Sequence, residues 1–346
     1  MLVEGVHRRT IWLADDGHTV EVLDQTALPR EVRVVRLGSC EDAARAIETM
    51  IVRGAPLIGV SAAYGLALAL RDDPSDAGLA RAHARLGRTR PTAVNLHWAL
   101  DRARAHLAPM HASERAAAAY ALAAVMADED VDVCSRIGEH GATALREVLA
   151  RRGGSGPLRV LTHCNAGWLA TVDWGTALAP VYKLHDAGVP IHVWVDETRP
   201  RNQGYLTAWE LAQHGVPATL IVDNAGGHYL QRGEVDVCIV GSDRTTRIGD
   251  VCNKIGTYLK ALAAHDARVP FYAAVPSSTI DFSIERGDAI PIEERSASEV
   301  TDLPFAKVKN PAFDVTPARL VTGIVTERGV APATAAGLAA LFPERA

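Results

Sequence analysis

The pattern of hydrophobic and polar positions changes character twice along this chain. Over residues 1–35 the two classes alternate weakly, as in Thr10-Ile11-Trp12-Leu13 and Thr19-Val20-Glu21-Val22-Leu23. A period of two predicts a short β-hairpin. From Cys40 to about Leu149 the sequence is alanine-rich with a 3.6-residue period, broken at Gly and Pro, which predicts a run of helices. Asp72-Asp73-Pro74-Ser75-Asp76 and Leu107-Ala108-Pro109 read as connections between helices. Arg151-Arg152-Gly153-Gly154-Ser155-Gly156-Pro157 reads as a turn or linker. Beyond it, largely apolar runs at 158–162, 191–195, 218–222, 235–240, 271–275 and 320–325 alternate with helical stretches such as 207–214 and 254–265. Strands separated by helices predict right-handed βαβ units and a parallel, doubly wound sheet. The expected fold class is therefore α/β. A mainly helical N-terminal domain with its hairpin, residues 1–128, precedes a Rossmann-like domain, residues 129–346.

Bulk properties narrow the function classes. A chain of 346 residues has room for two domains, since a single core stops growing near ~250–300 residues. The net charge of −5 argues against a nucleic-acid or anionic-membrane surface, either of which would require a basic excess. The apolar stretch 56–70 is shorter than the roughly 20 residues of a membrane span and reads as a buried helix. Five scattered cysteines without a C-x-x-C pair suit a reducing compartment and offer no zinc pattern. Charges at Glu4, Arg8, Arg9, Asp15 and Asp16 argue against a signal peptide, so a cytoplasmic protein is expected.

The chemistry concentrates where the apolar runs end. Those ends read His163-Cys164-Asn165-Ala166-Gly167, then Asp196 to Gly204, Asp223 to His228, Gly241-Ser242-Asp243-Arg244, and Pro276 to Asp281. In an open parallel sheet, ligands bind outside the carboxyl ends of the strands. One polar loop would mean little, because loops are polar anyway. Five at one sheet edge point to a small-molecule site. No G-x-G-x-x-G, G-x-x-x-x-G-K-[ST], H-E-x-x-H or G-x-S-x-G is present, so neither NAD nor ATP is expected, nor a metal.

Within these loops Cys164 stands at a strand mouth, where a thiol can serve as base, nucleophile or hydrogen-bond partner. His163 points to the opposite strand face, so the two do not form a ready dyad. Cys134 and Cys238 sit within apolar patterns and read as small buried hydrophobes. Asp243 ends a buried run; it suits either a general acid kept protonated by desolvation or a salt bridge to Arg244. Arg53-Gly54-Ala55-Pro56, Arg90-Pro91-Thr92-Ala93-Val94-Asn95 and Asn253-Lys254 each read as the opening of a helix. A cation beside unpaired backbone N–H groups favours an anion, and three such entrances suggest a phosphate clamp.

Taken in order, Arg53 to Pro56 with Ile58-Gly59, Arg90 to Leu96, Thr162 to Gly167, Asp196 to Pro200, and Asp250 to Tyr258 resemble the S-methyl-5-thioribose-1-phosphate isomerase family. This family is related to ribose-1,5-bisphosphate and 5-deoxyribose-1-phosphate isomerases and to regulatory subunits of a eukaryotic translation-initiation exchange factor. The resemblance implies that Arg53, Gly54, Ala55, Arg90, Gln203, Asn253 and Lys254 bind a sugar phosphate. It also implies Asp243 as catalytic acid, Cys164 as its partner, no metal or cofactor, and a homodimer. Thr245-Thr246-Arg247-Ile248 departs from the small apolar residues and Asn usual after the aspartate, and Trp168 and Trp174 are bulkier than expected. Those departures leave the 5-substituent open between methylthio, deoxy and phosphate. The expectation is an aldose–ketose isomerase of methionine salvage; the rival is a non-catalytic sugar-phosphate or nucleotide-sensing subunit.

Overall fold

The alternation in the first forty residues folds as antiparallel strands. After a short pair, β1 (Leu2–Val3) and β2 (Val6–His7), come β3 (Ile11–Leu13), β4 (Val20–Leu23) and β5 (Val34–Leu37). Ile11 lies opposite Val22, and Val22 opposite Val35, so the predicted hairpin gains a third strand. The computed structural model describes residues 1–153 and 156–345. Gly154 and Ser155 of the predicted linker lie outside the described residues.

Five helices follow, as the periodicity requires: α1 (Cys40–Glu48), α2 (Ala55–Asp72), α3 (Asp76–Gly87), α4 (Val94–Leu107) and α5 (Ala112–Arg152). Ser39 and Ser75 cap α1 and α3 by accepting the N–H groups of Asp42 and Gly78. Helix α2 is buried on nearly every side, which is why its sequence is apolar all round.

The chain forms two compact units. The first takes Met1, residues 7–132 and Trp168–Asp173; the second takes the rest of the described residues. In the first, Val20, Val22 and Leu37 of the small sheet share a core with Ile47, Leu57, Leu66, Leu96 and Val172. The returning stretch is tied in by hydrogen bonds. Thr10 donates its backbone N–H to the Val172 carbonyl (3.1 Å), Gln25 donates Nε2 to the Leu169 carbonyl (2.6 Å), and Asp130 accepts the Val172 N–H (2.7 Å).

The second unit holds β6 (Leu158–Thr162), α6 (Ala179–Asp186), β7 (Ile191–Asp196), α7 (Gln203–Gln213), β8 (Ala218–Ile221), α8 (Ala225–Gln231) and β9 (Val237–Val240). There follow β10 (Arg244–Thr246), β11 (Val251–Lys254), α9 (Thr257–Asp266), β12 (Phe271–Ala274) and β13 (Ile280–Asp281). Last come β14 (Phe313–Thr316), β15 (Gly323–Thr326), β16 (Gly329–Ala331) and α10 (Ala335–Leu341). Its main sheet has the order β16-β15-β12-β9-β6-β7-β8, parallel except for β16. The first strand, β6, is flanked on one side by β7 and β8, and on the other by β9, β12 and β15. The winding therefore reverses between β6 and β9, the position where open α/β sheets bind ligands.

A second sheet, β13-β10-β11-β14, begins directly after Asp243. It corrects one expectation. Asn253 and Lys254 do not open a helix but close strand β11, where Asn253 pairs with Asp314 and Lys254 with Phe313. Helix α9 waits until Thr257, because Gly256 holds a positive φ of 103° that no helix continues. Pairing of the buried Val251 and Cys252 on both sides overrides the local helical pattern.

Candidate active site

All five polar segments leave the same edge of the main sheet, after β6, β7, β8, β9 and β12. The two that flank the reversal carry Cys164 and Asp243. They touch: a Cβ built on Gly241 would fall 2.6 Å from the Cβ of Ala166, so only glycine lets the loops approach this closely.

Cys164 is 9% exposed and sits in the left-handed backbone region at φ 70°. A non-glycine residue there costs about 1–3 kcal/mol, and such strain collects at functional sites. Both ends of its peptide are held. Its N–H donates to Thr198 Oγ1 (2.9 Å), and its carbonyl accepts from Thr207 Oγ1 (2.9 Å). Asn165 Nδ2 donates to Thr207 Oγ1 and to the buried Glu210, both at 3.0 Å. The other cysteines are poor nucleophiles: burial pushes Cys40 up to about 11, Cys252 up to about 12, and Cys238 up as well. Cys134 and Cys238 are fully buried, as their apolar settings require.

Asp243 begins the turn from β9 into β10, and its N–H donates to the Cys252 carbonyl (2.9 Å). Its neighbour Arg244 places Nη1 3.6 Å from Asp281 Oδ2, with both side chains largely buried. The departing residues have structural duties. Thr245 and Thr246 are fully buried in β10, where Thr245 Oγ1 donates to Ser242 Oγ (3.0 Å) and Thr246 Oγ1 accepts the Asp250 N–H (3.1 Å). Arg247 is exposed and pairs with Glu285 (3.1 Å).

Asn253 and Lys254 lie on β11, the strand paired with β10. Asn253 Nδ2 donates to Thr257 Oγ1 (3.0 Å), and the Lys254 ammonium sits 4.5 Å from the centre of the Phe313 ring. Gln203 opens α7, where its Oε1 is buried and has no hydrogen-bond partner among the described residues. In the first unit, Gly54 caps α2 at φ 95°, and a Cβ there would collide with Ala170 at 2.4 Å. Arg53 and Ala55 flank it, and Arg90 precedes α4, so these two helix entrances are where the sequence placed them.

A charged cluster beneath the loops was not foreseen. His163 is 1% exposed; its Nδ1 lies 2.9 Å from Asp196 Oδ2 and its Nε2 donates to the Ile255 carbonyl (2.8 Å). Asp223 adds a third candidate metal ligand, all within 4.8 Å of one another. The protein supplies its own cation there, because the Lys260 ammonium lies 3.1 Å from Asp196 Oδ2 and donates to the Asp223 carbonyl (2.5 Å). The available cue was Lys260 itself, which shares the buried face of α9 with Thr257, Ala261 and Ala264.

A switch-point site of side chains, with a cysteine and a carboxylate on touching loops, marks the class: an α/β protein that acts on a small ligand. Residues 51–333 match the initiation factor 2 subunit family, and the chain belongs to it. It is 62% identical to a methylthioribose-1-phosphate isomerase of Methylorubrum populi, over 100% of this chain and 99% of that one. The crystal structure of 5-methylthioribose 1-phosphate isomerase from Pyrococcus horikoshii superposes with a TM-score of 0.86 at 40% identity, covering 98% and 96% of the two chains. That of translation initiation factor eIF-2B, subunit delta, from A. fulgidus gives 0.82 at 39% identity, covering 97% and 100%.

Proposed function

We propose that this chain is an aldose–ketose isomerase that converts S-methyl-5-thioribose 1-phosphate to S-methyl-5-thioribulose 1-phosphate, a step of methionine salvage. The observation that carries this reading is the contact between the Cys164 and Asp243 loops at the sheet reversal. The isomerase names of relatives as similar as 62% support it. Because phosphate blocks the anomeric carbon, the ring cannot open as a free hemiacetal. Asp243 donates a proton to the ring oxygen as its bond to C1 breaks, hydrogen then passes from C2 to C1 beside Cys164, and the C2 hydroxyl returns its proton to Asp243 as the ketone forms. Arg53, Gly54, Ala55, Arg90, Asn253 and Lys254 bind the phosphate, and Gln203 offers its unused Oε1 to a sugar hydroxyl.

The chain is further proposed to act as a cytoplasmic homodimer. No helix among the described residues is long and apolar enough to cross a membrane, and the exposed Leu220 and Val222 at edge strand β8 suit cover by a second copy. The deciding test is kcat/KM measured side by side on 5-methylthioribose, 5-deoxyribose and ribose 1,5-bisphosphate substrates. Methylthioribose 1-phosphate should lead; a better 5-deoxy substrate would reassign the 5-substituent. No ketose from any of them would leave a sugar-phosphate sensor.

A further inference from the structure

The cluster under the catalytic loops has more to it than charge balance. His163 Nε2 faces a carbonyl, which can only accept, so that nitrogen carries a proton. Nδ1 faces Asp196 Oδ2, an oxygen also approached by the Lys260 ammonium at 3.1 Å. The other oxygen of Asp196 is buried without a hydrogen-bond partner among the described residues, so this carboxylate is satisfied only through the one shared by His163 and Lys260. Asp223 Oδ1 lies 3.9 Å from Nδ1, and Asp314, which accepts the N–H groups of Gly256 and Tyr258, is within electrostatic reach of the ring. Three carboxyl groups thus surround one lysine and one imidazole.

The ring is also a wedge. A Cβ on Gly256 would stand 3.0 Å from His163 Cε1 and Nε2, so the histidine fills the notch that glycine leaves. One side of this wedge is the backbone of Cys164; the other is the turn that follows Lys254.

We propose that His163 is a positioning residue whose ring, bonded to Asp196 on one side and to the Ile255 carbonyl on the other, locks the cysteine loop to the Lys254–Gly256 turn. It sets the placement of the thiol and of the phosphate-binding strand end together. This rests on the isomerase reading only for its turnover readout.

Two measurements test it on the full chain. Nitrogen-15 NMR of the parent protein should show Nε2 of His163 carrying the proton that bonds the Ile255 carbonyl; a bare Nε2 would overturn the proposal, and this holds even where variants fail to fold. In His163→Gln, which reaches one acceptor at most, calorimetry should find inorganic phosphate bound about tenfold more weakly, the loss of one good charged hydrogen bond. Its kcat should fall in step. A lowered melting temperature with parental phosphate affinity and parental kcat would mean that the cluster only stabilises the fold. Phosphate binding needs no turnover, so an inactive parent that binds phosphate faults the isomerase reading and not this one.

Discussion

Thr207→Val is the sharpest probe of how the cysteine is held. Valine matches threonine in shape, and Thr207 is fully buried, so no cavity opens. What disappears is one hydroxyl with two bonds: its donation to the Cys164 carbonyl (2.9 Å) and its acceptance from Asn165 Nδ2 (3.0 Å). At a net ~0.5–1.5 kcal/mol each, the loss is about 1–3 kcal/mol. That is of the same size as the ~1–3 kcal/mol needed to keep a non-glycine residue left-handed. The Cys164 peptide should therefore relax, and the thiol with it. Guanidinium melts should show the 1–3 kcal/mol, while ketose formation should fall more than about tenfold, since ~1.4 kcal/mol of misplacement is a factor of ten. Thr207→Ser, which restores the hydroxyl, should recover most of the turnover. Parental stability and parental turnover in Thr207→Val would refute the claim that this hydroxyl sets the loop.

Asp243→Asn should bind substrate almost as the parent does while kcat falls by about 10²–10⁴, the usual worth of a general acid; single-turnover kinetics with intact kcat would remove the acid. Arg90→Ala should raise KM by about 10- to 150-fold, as loss of a charged hydrogen bond predicts, with unchanged circular dichroism. Cys164→Ser should keep the fold and lose orders of magnitude in turnover, because a hydroxyl is a far weaker acid than a thiol. Burial pushes Asp130 up to about 7, against about 4 when unfolded. Between those values the folded protein holds a proton that the unfolded chain has lost, so stability should fall as pH rises from 4 to 7 and level off above. Asp130→Asn still accepts the Val172 N–H and should flatten that slope in melts at pH 5 and pH 8.

The strands of the main sheet were legible because they are buried on both faces and so read as unbroken apolar runs, Val237 to Val240 most clearly. The reversal at β6 and β9 follows from strand order, which periodicity does not encode; the polar loops there were visible only as density of charge. The start of α9 was misplaced because Asn253 and Lys254 are compatible with a helix locally, while pairing with Asp314 and Phe313, some sixty residues on, decides otherwise. His163 was set aside for pointing away from Cys164. Its partners Asp196, Asp223, Lys260 and Asp314 come from separate elements, and only folding brings them together.

The return of Trp168–Asp173 to the first unit bears on how the protein is made. Near the start of the chain, the N–H and hydroxyl of Thr10 and the side-chain amide of Gln25 find their acceptors in residues 169–172, and Val172 fills a place in a core otherwise built before residue 128. A ribosome that has completed the early helices therefore carries an unfinished domain, with donors unanswered and an apolar gap. At roughly 5–20 residues per second that state lasts for seconds until the missing stretch emerges, an interval in which a chaperone would find its substrate. For the same reason a gene cut after residue 132 should not yield a self-sufficient N-terminal fragment; a synthetic peptide spanning 168–173, grafted through a linker, is what such a fragment would need.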